Sequence, residues 1–492
     1  MRRACNPQLR LDCPPIDAVP LNTNCRDEII PILRALQHIY GDAQLRREIL
    51  GLVGKDVNST TSPKRGRSGL DYWQIIVLAA VRLGCNLDYD KLQNLAEEHR
   101  TLRRIMGVGD WQNEETVAFD WRRIRDNLAY LQPETLTKLN QRIVCAGHQL
   151  VPEAIAAVRG DSFVVETNIH YPTDSSLIGD GLRKMIKLSA ALAKDYSLTG
   201  WRQHKYLLRH VRRQVHKISR LARAKGKGAA ERLQEGYREL LAEAKNLLGR
   251  AGAIVLALQL RPTVSVLLQG RLAALQQYMQ LTMKVCDNAQ RRVLLGETVA
   301  NEDKIFSIFE THTELIKRGK EPNPIQFGHN VLVVEDAVGF ICHYEVVGRG
   351  VLDQDLVVPV MQKLQKRFQG KIKRASFDRG FHTPENQEKL AELVGQPCIP
   401  MKGEEGGRQQ QEEATVGFRQ ARQNHPGVES AIGALQFGNG LERSRDRSER
   451  GYERYVGLGI LGRNLQVLGK LLLVQEDPTC QASKSKRKRR AA

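Results

Sequence analysis

Three acidic residues stand where chemistry is possible. Asp161 lies in VRGDSFVVETNIHY, Asp378 in RASFDRGFH and Glu429 in HPGVESAIGALQ. Side chains alternate along a strand, so Asp161 shares a face with Phe163 and Val165, while Glu166 falls on the other. Asp378 closes a predicted strand before an Arg379–Gly380 turn. Carboxylates at strand ends of an open α/β sheet point into the crevice where ligands bind. Glu429 falls in the first turn of a predicted helix whose apolar face is Val428, Ile432 and Leu435. Singly, each has a plain alternative, because acids after strands stabilise turns and acids in a first helical turn complement the helix dipole. Together they form a ligand set. Cutting or joining a phosphodiester needs a water or hydroxyl to attack in line with the leaving oxygen, and two divalent ions roughly 3.5–4 Å apart serve both oxygens. Carboxylate oxygens suit Mg2+ or Mn2+. Two carboxylates about 4 Å apart repel by about 4 kcal/mol at an effective dielectric of 20, so such a cluster makes sense only with cations in it.

Other groups compete for these roles. His170, His382 and His425 lie near the motifs, but scattered histidines are mostly structural and two-metal DNA sites need none. Asp174, Asp180, Asp336, Asp353 and Asp355 are rivals as supporting groups, with Asp336 reading as a hairpin-turn residue. Glu404, Glu405, Glu412 and Glu413 rival Glu429, yet they sit in a polar loop without helical periodicity and lack a rigid support.

The elements that must position the acids follow from the hydrophobic pattern. Amphipathic stripes begin at Asp71, with Ile75, Ile76, Leu78, Ala79 and Leu83, and recur near 88–106, 114–130 and 133–148. Residues 1–150 therefore read as a helical N-terminal region. Trp121, Arg122, Arg123 and Arg125 give one of its helices a basic face, which fits helix-turn-helix DNA binding or packing against a core equally well. Strand signals start at Ala154. Residues 174–303 then form a helical insertion, with a basic helix carrying Arg209, Arg212 and Arg213, a turn at 225–228, a long helix over 229–249 and two more over 263–299. A hairpin follows, with strands at 331–335 and 339–347. A helix at 353–369, a short strand ending in RASFD, a helix from Pro384 to Val394 and the strand PCIP complete the alternation. Residues 402–424 read as a polar loop, and 476–492, ending SKSKRKRR, as a disordered basic tail. The fold class is α/β: a core over 151–173 and 304–475, interrupted after its first strand.

Charge points to the partner. Lys plus Arg total 75 against 55 for Asp plus Glu, leaving a net charge of +20. Such an excess suits a polyanion, because cationic side chains release counterions when they neutralise phosphates. Nine cysteines are scattered, without a C-x-x-C pair, and Cys5 and Cys13 lack the partners of a zinc site. A reduced, cytoplasmic setting is expected. The N-terminus carries no apolar run after its arginines, so no secretory signal is expected. Arg463 and Lys470 interrupt the apolar segment 456–474, so no membrane span is expected.

Three long motifs, DSFVVETNIHYPTDSSLIGDG, SFDRGFHTPENQEKL and HPGVESAIGALQFGNGLERSRDRSERGYERYVGLGILGRNLQVLG, resemble bacterial insertion-sequence transposases of the DDE class. The runs TNIHYPTDS and EDKIFSIFETHTE point to the ISNCY-like group. The resemblance spans roughly residues 70–475. It implies an RNase H-like catalytic core, with catalytic and metal-binding roles for Asp161 and Asp378 and a catalytic glutamate matching Glu429. It implies two Mg2+ or Mn2+ ions, double-stranded DNA as element end and target, and at least a homodimer in the DNA complex, acting at the bacterial nucleoid. Related enzymes place Arg or Lys after the glutamate to hold DNA, and Arg443, Arg445, Arg447 and Arg450 are the candidates here. A metal-dependent nuclease or resolvase, or a non-catalytic DNA-binding derivative, is the alternative expectation.

Overall fold

The computed structural model describes residues 3–5, 13–60, 69–108, 119–261, 265–317, 324–401 and 413–476. The expected basic tail beyond residue 476, residues 402–412 of the polar loop, and parts of the segments at 58–69 and 114–130 lie outside them, while Val416–Asn424, expected as loop, is a helix that buries Phe418 and Ala421. The chain divides into two compact units, Met1–Asn168 with Gly328–Ala492, and Ile169–Phe327.

In the first unit seven helices precede the sheet: α1 (Ile29–Gly41), α2 (Ala43–Thr60), α3 (Tyr72–Gly84), α4 (Tyr89–Glu98), α5 (Arg100–Ile105), α6 (Trp121–Leu128) and α7 (Pro133–Leu150). Local chemistry sets their ends. Asp71 caps α3 by accepting the Gln74 N–H at 2.7 Å, and the Gln74 side chain reciprocates in a capping box. Pro133 opens α7, where a missing N–H costs nothing. The first strand, β1 (Ala157–Thr167), follows.

The second unit holds α8 (Asp174–Asp195), α9 (His204–Leu221), α10 (Ala229–Gln259), α11 (Val266–Ala289) and a short β2 (Glu314–Lys317). Ile178, Leu182, Met185 and Ile186 of α8 meet Leu240 and Leu247 of α10 and Leu272 and Leu275 of α11 in one apolar core. Two sequence expectations change here. α10 runs past residue 249 because Ala251, Ile254, Val255 and Leu258 continue its buried stripe. A single helix covers most of 263–299, since LAALQQYMQLTMKVCDNA contains neither Gly nor Pro to break it, and it ends in a π turn at Gln290–Leu294.

The chain returns to the first unit along β3 (Ile325–Asp336), then β4 (Ile341–Val346), α12 (Val357–Arg367), β5 (Arg374–Phe377), α13 (Pro384–Leu393), β6 (Gln396–Cys398), α14 (Val416–Asn424), α15 (Pro426–Gly433), β7 (Arg443–Ser444) and α16 (Glu449–Glu476). The sheet is mixed and seven-stranded. β3 lies antiparallel to both β1 and β4, whereas β5 runs parallel to β1 and to β6. β7 adds a two-residue parallel pairing at the far end of β1. Asp336 closes the expected hairpin, its Oδ1 accepting the N–H groups of Val338, Gly339 and Phe340 at 3.0, 2.9 and 3.0 Å.

Helices and sheet of this unit share one hydrophobic core, from Ile29 through Phe163 and Val333 to Leu472. The helices of residues 1–150 are therefore part of the same folding unit as the strands. α16 is its spine. By length and composition this helix would suit a membrane span, yet 78% of its most apolar window is buried inside the fold. Glycines let it approach other backbones. A Cβ on Gly462 would lie 2.5 Å from the Gly84 nitrogen of α3, and one on Gly469 would lie 1.7 Å from the Pro31 carbonyl oxygen of α1. Both obstacles are backbone, so neither can swing aside. Gly462→Ala is expected to lower stability in urea by about 1–3 kcal/mol or more. Gly51→Ala on α2, where a Cβ meets nothing within 4 Å, should be neutral or stabilising by up to about 1 kcal/mol.

Candidate carboxylate site and basic surfaces

The pairing of β1 with β5 builds the site. Arg159 stands opposite Ser376 and Gly160 opposite Phe377. One further step of that register brings Asp378 beside Asp161, on strands about 4.8 Å apart. Asp378 keeps an extended backbone, at φ −73° and ψ 166°, so the alternation of side chains continues through it. Arg159 and Asp161 thus project to one face of the sheet, and Ser376 and Asp378 project to the same face.

α15 covers that face. The Arg159 Nη1 donates to the Asn424 carbonyl at 2.8 Å, and its Nη2 lies 2.9 Å from a Glu335 carboxylate oxygen. Gly427 in the first turn makes room for this guanidinium, since a Cβ there would lie 2.0 Å from Arg159 Nη1. Val428 and Ile432 anchor the helix in the core and leave Glu429 exposed at its start. His425, immediately before α15, has its Nδ1 3.1 Å from Ser376 Oγ. Burial pushes the His425 imidazole down from its ordinary pKa, the Asp378 and Glu429 carboxylates pull it back up, and Arg159 adds to the lowering. One ring therefore feels both acids.

Each aspartate accepts the N–H of the residue that follows it. Asp378 is exposed, and its Oδ1 accepts the Arg379 N–H at 2.7 Å. Asp161 is half-buried, and its Oδ1 accepts the Ser162 N–H at 2.7 Å. Among the described residues, neither Asp378 nor Glu429 is ion-paired with Lys or Arg. Exposed carboxylate oxygens such as those of Asp378 and Glu429 are of the kind a hard divalent ion takes as ligands.

A tighter group lies elsewhere in this unit. Atoms of His148, Asp336 and Cys342 fall within 4.8 Å of one another, a possible metal-binding triad, whereas the three sequence-predicted carboxylates do not close to that degree. The triad is already satisfied internally. One Asp336 oxygen holds the hairpin turn, the other lies 2.8 Å from His148 Nε2, and the Cys342 thiol faces the Phe340 carbonyl. Burial beside Asp336 pushes the Cys342 thiol well up, away from the thiolate a metal would need. We read it as a lock between α7 and the hairpin.

The remaining rivals have structural duties. Asp353 accepts the Ser162 hydroxyl at 3.0 Å on the opposite face of β1. Asp355 accepts the Leu352 N–H. Asp180 bridges His170 and Arg183, and Asp174 pairs with Arg292. His382 is pushed down by burial, with Glu413 pulling it up. Glu413 accepts the Met401 N–H. Glu404, Glu405 and Glu412 lie outside the described residues.

The candidate DNA-binding arginines fall into two groups. Arg443 pairs with Glu166, Arg445 donates to Tyr455 and Asn86, Arg450 reaches Glu134 at 3.1 Å, and Arg447 is exposed. In the second unit Arg209, Arg212 and Arg213 lie exposed along α9, where with Tyr206 and His216 they line a shallow depression. Tyr206 stacks on His210 with ring planes 14° apart.

Two functional supports were not foreseen from sequence. One is the Ser376–His425 contact. The other is a buried ion pair, Arg82 with Asp446, at 3.0 and 2.5 Å. It ties α3 to the segment that carries Arg443, Arg445 and Arg447, and the Arg82 guanidinium also lies 3.9 Å from the centroid of the Tyr89 ring. An Arg within the apolar α3 stripe was the only sequence signal, and its partner lies 364 positions away.

No protein-family model, curated protein or solved structure matches the chain.

Removing one member of the buried pair strands the other. Asp446→Ala is expected to cost about 3–5 kcal/mol, read as a lower midpoint in chemical denaturation, with Asp446→Asn losing less.

Proposed function

We propose that the protein is a DNA transposase of the DDE type, acting on the ends of its own mobile element with Asp161, Asp378 and Glu429 as metal-binding carboxylates. The observation that carries the reading is their convergence on one sheet face: Asp161 next to Asp378 by strand register, and Glu429 on the helix laid over them. The strand arrangement supports an RNase H-like core, as an antiparallel β1–β3–β4 array is followed by parallel β5 and β6 with helices between. The second unit then stands as an insertion after the first strand. The motif resemblance and the charge of +20 favour duplex DNA as the substrate.

Mg2+ or Mn2+ bound by these oxygens would activate an attacking water or 3′-hydroxyl and stabilise the leaving oxygen. The chain itself supplies ligands and alignment. Asp161 and Asp378 would hold the ions from adjacent strands. Glu429 would add a ligand from α15. The exposed arginines of α9 hold phosphates of the duplex. Two element ends must meet, so the working form is a homodimer or larger assembly, at the nucleoid of a bacterial cytoplasm.

The test is cleavage and joining of duplexes carrying the DNA that flanks the coding region. Asp161→Ala, Asp378→Ala and Glu429→Ala should each lower the rate at least about 100-fold, the loss expected when several kcal/mol of charge stabilisation disappear. Full activity in Asp378→Ala rejects the assignment, and cut but unjoined product indicates a nuclease.

The α9 surface has its own measurement. Changing Arg209, Arg212 and Arg213 together to Ala should weaken duplex binding and flatten the slope of log K against log salt by roughly 2–3, at about 0.9 per phosphate contact. An unchanged slope would remove α9 from the DNA interface.

A further inference from the structure

We propose that His425 and Ser376 form a clasp that sets the reach of Glu429 to Asp378, making both of them positioning residues of the carboxylate site. The inference rests on the metal-site reading above and adds to it the pair that holds the two halves in step.

The geometry is a ladder of two rungs. Ser376 and Asp378 lie two residues apart on one strand face, an advance of about 7 Å. His425 and Glu429 lie four residues apart, one turn along a helix, an advance of about 6 Å on the same side. The helical backbone already holds at His425, with φ −59° and ψ −38°, so this spacing applies from that residue onward. The lower rung is made, with His425 Nδ1 3.1 Å from Ser376 Oγ. The advances on strand and helix are similar, and both carboxylates lie near enough to act on the His425 ring. Ser376 is only 4% exposed, so its hydroxyl has little access to water as an alternative partner. Arg159 backs the clasp by holding the carbonyl of Asn424, the residue before His425, while its other nitrogen is held by Glu335. Without the lower rung, the start of α15 keeps only the Arg159 contact and its buried Val428 and Ile432, and its glutamate loses one of the constraints on its distance to the strand acids.

The experiment uses the full chain and Mn2+ as the probe, read by the ion-dependent rise in melting temperature and by cleavage of the flanking-DNA duplex. Ser376→Ala and His425→Ala are each expected to raise the half-saturating Mn2+ concentration about tenfold or more, as loss of groups that orient metal ligands does elsewhere. The double variant should be no worse than either single one, because one contact is removed in all three. His425→Asn, whose amide falls near the Nδ1 position, should recover most of the affinity, and His425→Gln should not. Ser376→Cys keeps an atom in place but weakens the hydrogen bond, and it should fall between Ala and wild type. Affinity that is lost in Asp378→Ala but unchanged in Ser376→Ala and His425→Ala overturns the clasp alone. A loss in His425→Ala without one in Ser376→Ala also overturns it. Affinity indifferent to Asp378→Ala overturns the metal-site reading, and the clasp with it.

Discussion

Parallel pairing of β1 with β5 is the constraint from which the site follows. A strand register is fixed in steps of one residue, and a slip of one step would send every side chain to the other face. In the observed register Gly160 lies against the Phe377 ring, where a Cβ would come within 2.4 Å. β1 is also committed on its other edge, where nine residues from Val158 to Glu166 pair with β3. With both edges paired, Asp161 has one available orientation, toward the face that carries Asp378, and α15 is laid over that face by the Arg159 contact and its own buried Val428.

The helical part of the first unit contributes through the shared core. α16 touches α1 and α3 backbone to backbone at Gly469 and Gly462, and Gly457 brings it against Leu136 of α7 and Tyr344 of β4. Asn464 donates to the Ile341 carbonyl and accepts the Ile341 N–H, so the spine is hydrogen-bonded to the sheet as well as packed on it. The buried Arg82–Asp446 pair fastens the segment before α16 in the same way. Buried ion pairs contribute little net stability but penalise alternatives that separate them. Their effect here is to fix where the arginine-bearing segment lies.

Asp336 and the exposed pair Asp378 and Glu429 show two different settings for acidic side chains in this unit. Asp336 is fully buried, and its oxygens are taken by three backbone N–H groups and one imidazole. Asp378 and Glu429 are exposed and have no cationic side chain against them among the described residues. Burial brings Asp336 close to its partners and occupies its oxygens, whereas Asp378 and Glu429 face solvent.

Much of this was legible from residue order alone. Period-two and period-3.6 patterns located β1, the β3–β4 hairpin, α12, α13 and α15, and the local signals at Pro384 and Asp336 set their ends, because these depend on neighbours a few positions away. The three acids stood out by type and by place on an element. Helix lengths in the second unit were less legible, since packing, not propensity, decided how far α10 runs. The clasp of His425 with Ser376, the passage of Arg159 over Gly427 and the joining of Arg82 to Asp446 were invisible, as each pairs residues remote in the chain through a geometry that only the folded sheet creates. Sequence thus determined which side chains are available and which local element carries each one. Tertiary structure decided which face they share, because the pairing of strands far apart in the chain sets the register, and no local pattern encodes that.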